Sequence, residues 1–306
     1  MDDAILVLEG LAKRFPGGAG FGPVSLRLGP GVHGILGPNG SGKTTLLRTL
    51  LGFHPPSAGR ARLLGHDVAS SPLWVRRQVG YMSENDVVVP GLNAAQTVRL
   101  AAELCGIPRP RAHEAAAEAI HAVGLGEAAY HPMDRLSTGQ RQKAKLAAAL
   151  VHAPRLLILD EPTNGLDPAA RRAMLDLVRI VSAEHGVSVL LSTHILPDVQ
   201  AVCQDAVVLR DGLVAGVERV AARQALVEAG AAWHDVEVLG DPEAFESACK
   251  AARLRTRRVG ASLQVLAPGV APVLAAARAA GLLLTKARPA SEGVEEAVLG
   301  RLEAAA

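Results

Sequence analysis

The chain has 306 residues, enough for two domains of ordinary size and for a sizeable core without disulfides or metals. Its 32 basic and 30 acidic residues leave a formal charge of +2, which excludes the basic excess of a dedicated nucleic-acid binder. Hydrophobic residues make up 49% and aromatic ones only 3%, yet no apolar run reaches the roughly 18 residues of a membrane span.

The opening stretch, MDDAILVLEGLAKR, begins with two acids where a secretory signal carries basic residues. The first of three strongly apolar runs that stand out is VHGILG (32–37), of strand length. Such a run fits a strand buried on both faces of a parallel sheet. Residues 93–124 have Ala, Leu and Glu at helical spacing, broken at GIPRP (106–110), where two prolines stop a helix. A second helix over about 111–123 and a third over 139–152 follow, so a small helical subdomain is expected at roughly 88–152. LLILD (156–160) and VSVLLS (187–192) repeat the buried-strand pattern. Each of the three runs is followed at once by polar residues and then a helix. Ligands of open parallel α/β sheets bind beyond the carboxyl ends of the strands, so GPNGSGKTT, EPTNGLD and TH should converge in space.

The texture changes near residue 219. WHDVEVLG, RRVGASLQVLA and LLLTKARP read as strands, the middle one as two around Gly260. DPEAFESACKAARL and APVLAAARAAG read as helices. The order β-α-β-β-α-β is that of a ferredoxin-like domain. SEGVEEAVLGRLE closes the chain as a short helix. The three cysteines, Cys105, Cys203 and Cys249, have neither disulfide nor zinc spacing and fit a reducing cytoplasm.

GPNGSGKT (37–44) matches the phosphate-loop pattern G-x-x-x-x-G-K-[ST]. Its glycines let backbone N–H groups turn toward phosphates, and the helix starting near Gly42 adds its positive end. The pattern assigns Lys43 to the β and γ phosphates and the Thr44 hydroxyl to Mg²⁺. At the end of LLILD, Asp160 is placed to hold Mg²⁺ through water, and Glu161 beside it to act as a general base toward water; the plainer reading of the pair is an acidic turn.

LSTGQ (136–140) resembles the LSGGQ signature of the ATP-binding subunits of ATP-binding cassette (ABC) transporters. With the phosphate loop, LLILDEP, EPTNGLD and STH in family order, the resemblance covers about residues 4–218. It implies an α/β P-loop NTPase core (residues 1–218) with a helical subdomain, and leaves 219–306 as a small α+β accessory domain. It implies ATP and Mg²⁺ as cofactors. By this resemblance Phe15 stacks on adenine, and Gly37, Asn39, Gly40, Ser41, Gly42, Lys43, Thr44 and Thr45 hold the phosphates. Ser137, Gly139 and Gln140, ahead of a helix over 140–152, would meet the γ-phosphate held by a second subunit, with Asp167 in the D-loop. His194 becomes the switch histidine, catalytic together with Glu161. Two positions depart from the family: Glu84 stands where Gln is usual, and can still approach the metal beside Thr44 and Asp160; Thr138 replaces the first signature glycine.

ASEGVEEAVLGRL resembles the endings of ABC-2-type exporter ATPases, with Gly293 and Ala297 departing. The resemblance implies ATP hydrolysis that powers export through a separate membrane permease, from a cytoplasmic site at the inner face of the membrane. Residues 84–100 are the expected permease contact; VVVP within them reads equally as a docking site and as core. A second ATPase subunit is the other implied partner, and nucleic acid is not one. The alternative, a soluble ABC ATPase acting on ribosomes or nucleic acid, calls for paired cassettes or coiled-coil insertions, neither of which is present. A catalytically dead ATP sensor conflicts with Lys43, Asp160, Glu161 and His194 all being in place.

Overall fold

The computed structural model describes residues 4–85, 89–220, 232–259 and 262–289. Backbone contacts divide the chain into two compact units, Met1–Glu218 and Arg219–Ala306.

The first unit opens with strands β1 (Leu6–Arg14), β2 (Gly20–Leu28) and β3 (Val32–Leu36), then helix α1 (Lys43–Leu50). There follow β4 (Ala58–Leu63), β5 (His66–Asp67), α2 (Pro72–Gln78) and β6 (Val79–Met82). The helical stretch holds α3 (Ala94–Leu104), α4 (Arg109–Ala122) and α5 (Thr138–Leu150). It is succeeded by β7 (Leu156–Asp160), α6 (Pro168–His185), β8 (Ser188–Thr193), α7 (Leu196–Val202), β9 (Asp205–Arg210) and β10 (Leu213–Arg219).

Six strands form one sheet in the order β10-β9-β3-β8-β7-β6. The neighbours from β9 through β6 run parallel. The three apolar runs of the sequence are β3, β7 and β8, adjacent at its centre and buried at every position. A second, antiparallel sheet, β2-β1-β4-β5, lies across α1. The core between the sheets joins Leu8, Leu11, Phe21 and Val24 to Leu46, Leu47 and Leu50 of α1, and these to Ile35, Ile158, Leu190 and Val207. Burying side chains of this size stabilises by about 1.5–3 kcal/mol each. Helix α1 is therefore fixed from both sides. The alternate residues of the parallel strands face α6 and α7.

Two expectations are adjusted. The second subdomain helix begins at Arg109, not near 111: Pro108 is its N-cap and Pro110 sits in the first turn, where the missing N–H costs nothing. The third helix runs Thr138–Leu150, earlier than 139–152 or 140–152, because Ser137 caps it.

The second unit comprises β11 (Ala232–Leu239), α8 (Pro242–Ala251), β12 (Arg255–Val259), β13 (Ser262–Ala267), α9 (Val270–Ala279) and β14 (Leu283–Pro289). Its four strands pair in the order β12-β13-β11-β14, all antiparallel. Val236, Leu263 and Val265 on one face pack with Phe245 and Cys249 of α8 and with Val273, Ala276 and Ala277 of α9. Burial pushes the Cys249 thiol up to about 11, with the Glu246 carboxylate adding to it. The other face carries a polar chain in which Arg257 Nε donates to Gln264 Oε1 (2.7 Å) and Gln264 Nε2 donates to Asp235 Oδ1 (2.8 Å). The expected closing helix, SEGVEEAVLGRLE, lies outside the described residues, as do Val87 and Val88 of VVVP.

Candidate functional site

Because β3, β8 and β7 are parallel neighbours, the loops after them leave from one edge of the sheet. Gly37 N–H donates to Thr193 O (3.2 Å), and Glu161 N–H donates to Ser192 O (3.1 Å), which locks the three strand ends in register. Glycine is required at Gly37, where a Cβ would lie 2.1 Å from Leu209 O. Gly42 is the N-cap of α1 at φ 98°, a left-handed conformation open to glycine, and a Cβ there would meet Gly20 O at 3.0 Å.

The loop borders an open cleft of about 400 Å³, lined by Asn39, Gly40, Gly42, Lys43, Thr44, Thr45, Glu84 and Glu161, with Ala19 and Gly20. Lys43 is buried, and its Nζ donates to Gly37 O (2.7 Å) and Pro38 O (3.2 Å). It also lies 3.2 Å from Glu161 Oε1, an ion pair not aligned as a hydrogen bond. Thr44 Oγ1 donates to Asp160 Oδ1 (3.3 Å). The buried Ser41 Oγ has no hydrogen-bond partner and faces the loop, where a Cβ on Gly37 would sit 2.7 Å from it.

Glu161 is 4% exposed and has φ +50°, a conformation uncommon for a side chain with a Cβ. Strain of this kind persists only where surroundings enforce it. Here the enforcement comes from β8, since Glu161 N–H is received by both Ser192 O and Ser192 Oγ, each at 3.1 Å. The Glu161 carboxylate is then placed against His194, with Nδ1 2.9 Å from Oε2. His194 is 37% exposed, so the pair joins the buried site to its surface.

Asp160 is the most connected group. Besides Thr44, it accepts from Ser192 Oγ (2.5 Å) and Tyr81 Oη (3.4 Å). Burial, then the Asp160 charge, pushes the Tyr81 phenol above its ordinary range. Sequence reasoning missed Ser192 and Tyr81. Ser192 opens the STH motif and Tyr81 stands three residues before Glu84, and only the strand order shows that both reach Asp160. It also missed Thr163 and Asp198, whose contact joins the turn after Glu161 to α7.

Of the remaining expected residues, Phe15, Ser137, Gly139, Gln140 and Asp167 do not line this cleft, and Glu84 does. Phe15 packs edge-on against His54, with ring centroids 5.3 Å apart, and lies under Lys13 Nζ at 5.0 Å. Ser137 and Gln140 form a capping box: Ser137 Oγ accepts from Gln140 N–H (3.2 Å) and Gln140 Oε1 accepts from Ser137 N–H (3.0 Å). The signature residues thus belong to the helix start rather than preceding it, and Gln140 is spent on the cap. Gly139 is in the first turn, where a Cβ would meet Ala170 Cβ at 3.2 Å. Asp167 caps α6, its Oδ1 accepting from Ala169 and Ala170 N–H (2.9 Å each). Glu84 is exposed at the cleft rim; its Oε1 accepts from Asn164 Nδ2 (3.4 Å) and its carbonyl from Lys145 Nζ (3.1 Å).

A buried parallel strand, a glycine loop and a lysine-headed helix, with an acid at the end of a neighbouring strand, define the P-loop NTPase class. The model of the ABC transporter family matches residues 21–164. The chain is 38% identical over 207 residues to the daunorubicin/doxorubicin resistance ATP-binding protein DrrA of Streptomyces peucetius, covering 67% of this chain and 62% of that protein. It is 33% identical over 213 residues to the ABC transporter ATP-binding protein YdbJ of Bacillus subtilis, covering 69% of this chain and 68% of that one. Among solved structures, cbiO1 of Clostridium perfringens, part of the ABC transporter complex cbiONQ, superposes with a TM-score of 0.67 at 26% identity, over 74% of this chain and 93% of that one. The chain belongs to the ABC transporter family. Its match spans less than two thirds of the length of DrrA.

Proposed function

We propose that this chain is the ATP-binding and ATP-hydrolysing subunit of a transporter, working through a separate membrane permease. The observation that carries the reading is the clustering of Lys43, Thr44, Asp160, Glu161 and His194 at one sheet edge, within 2.9–3.3 Å along the contacts that link them.

The loop around Gly37–Thr45 fits a triphosphate. It offers an open cleft of about 400 Å³, backbone N–H groups at the start of α1, and a buried ammonium. The oxygens of Thr44 and Asp160 are hard ligands of the kind Mg²⁺ takes alongside phosphate. Among the described residues no three His, Cys, Asp or Glu side chains are grouped to hold a metal, and Mg²⁺ bound with phosphates calls for only one or two carboxylates. Bound Mg²⁺ would neutralise charge developing on the β and γ phosphates.

The protein's own part is positioning and proton handling. Lys43 holds the γ-phosphate, and Glu161 Oε2 receives the proton of the water that attacks phosphorus as the bond to the leaving ADP oxygen breaks. His194, in contact with that carboxylate, orients it and reports on the phosphate. The N–H groups of Thr138 and Gly139, left free by the Ser137–Gln140 box, support a role for the signature helix toward the nucleotide of a second subunit. Residues 1–218 would form the ATPase and 219–306 an accessory domain, with Phe15 at the adenine and Asp167 in the D-loop.

An apolar groove of about 190 Å³, lined by Tyr81, Met82, Val89, Leu100, Leu104 and Met133, supports docking of a permease segment beside the helical subdomain. No helix among the described residues is long and apolar enough to cross a membrane, which accords with a peripheral place at the cytoplasmic face. Export is the direction we propose, on the drug-resistance name of the DrrA relative. In the test, Glu161→Gln is expected to retain ATP, accumulate as an ATP-bound dimer in size-exclusion chromatography, and lose turnover by roughly 10²–10⁴-fold, the contribution of a general base. A variant that hydrolyses ATP at the wild-type rate removes Glu161 from the mechanism.

A further inference from the structure

The turn carrying Glu161 and the helix entered through His194 are joined twice. The outer link is His194 Nδ1 to Glu161 Oε2 at 2.9 Å. The inner one is Thr163 Oγ1, which donates to Asp198 Oδ2 at 2.5 Å. Thr163 stands two residues after Glu161, and Asp198 four after His194, so the second link runs beside the first between the same two segments. Thr163 is 2% exposed and Asp198 1%. Arg171 Nε on α6 donates to the other oxygen, Asp198 Oδ1, at 2.5 Å. Both oxygens of this buried carboxylate are thereby engaged, and its charge is compensated as burial requires.

The location of the link gives it a role beyond packing. Helix α7 is short and has no side-chain cap at Ile195; besides Ile195 N–H, which donates to Thr193 Oγ1 (3.0 Å), Asp198 in its first turn ties its start to the turn after Glu161. On the other side Glu161 holds a strained φ of +50°, and Thr163 is the next side chain able to hydrogen-bond after Pro162. Release of the inner link would let the outer one lengthen, because backbone N–H contacts to Ser192 hold Glu161 at its own end only.

We infer that Asp198 is a positioning residue: accepting from Thr163 Oγ1 and Arg171 Nε, its carboxylate sets the separation of Glu161 and His194. The inference rests on the reading of those two residues as the hydrolytic pair. The test uses the full chain. Thr163→Val is isosteric and removes only the hydroxyl. It is expected to lower kcat for MgATP roughly 10- to 100-fold, the range for misplacement by about 1 Å, while KM stays within about twofold. Thr163→Ser is expected to restore kcat, and Thr163→Val made in an Asp198→Asn background to lower it no further, since the two residues share one contact. A lowered melting temperature with kcat unchanged, measured below both melts, overturns the inference.

A second measurement is independent of turnover. The ¹⁵N shift of the His194 imidazole reports its Nδ1 contact with Glu161. It is expected to move in Thr163→Val and return in Thr163→Ser; an unmoved shift overturns the inference even in a protein that hydrolyses nothing. Wild-type turnover by Glu161→Gln would instead defeat the hydrolytic reading alone, and the shift would still decide the role of Asp198.

Discussion

Replacing Ser192 by alanine tests how the Asp160 carboxylate and the strained Glu161 are held. Ser192 is fully buried at the end of β8, and its hydroxyl makes two contacts: it donates to Asp160 Oδ1 at 2.5 Å and accepts from Glu161 N–H at 3.1 Å. The second loss is softened, because the same N–H also donates to Ser192 O at 3.1 Å. The first is not. Asp160 retains only Thr44 at 3.3 Å and Tyr81 at 3.4 Å, both long for a hydroxyl on a carboxylate. A hydrogen bond to a charged group contributes about 1.5–3 kcal/mol, so Ser192→Ala should destabilise by that amount. For a unit of this size each kcal/mol lowers Tm by roughly 2–4 °C, giving a shift of about 3–12 °C. Calorimetry without nucleotide or magnesium measures the loss directly, since a bound ion would restore part of it. A Tm within 1 °C of wild type would refute the argument that this hydroxyl holds Asp160.

Gly37→Ala places a methyl 2.1 Å from the carbonyl oxygen of Leu209, a backbone atom with little room to yield. Overpacking of this kind costs about 1–3 kcal/mol, and the variant should both melt lower and lose binding of a fluorescent ATP analogue. Burial holds the His152 imidazole below its ordinary value of 6.5, with the Val79 backbone offsetting part of this. The unfolded chain therefore takes up the proton first, so stability is unaffected well above that pH and falls as pH drops through it. His152→Leu should show a smaller loss of Tm between pH 7.5 and 5.5 than wild type; equal losses would mean that His152 contributes none of the acid sensitivity.

The parallel half of the fold was legible because β3, β7 and β8 are buried on both faces and so read as mostly apolar runs without strict alternation. The phosphate loop was legible because its glycines answer a backbone demand at fixed spacing. The antiparallel sheet was not. In β1 the register shifts between Leu8 and Leu11, and again before Lys13, which breaks the alternation by which a half-buried strand is recognised. Capping chemistry hid the start of α5, since S-x-x-Q reads equally as a signature and as a box in which each side chain accepts from the other residue's backbone N–H. Ser192, Tyr81, Thr163 and Asp198 were out of reach for a different reason. Each acts across the gap between chain segments, and a hydroxyl or carboxylate in sequence carries no mark of which neighbour the sheet will bring to it.

The seating of α1 between two sheets bears on where motion can occur. Its first residue is Lys43, and its apolar side chains are locked on both flanks. On the proposed function, the grip on phosphate is thus bolted to a helix packed on both flanks, which nucleotide exchange would not easily shift. On that reading, displacement would be taken up at the margins, by the exposed rim around Glu84, with the centre an anvil against which the periphery works.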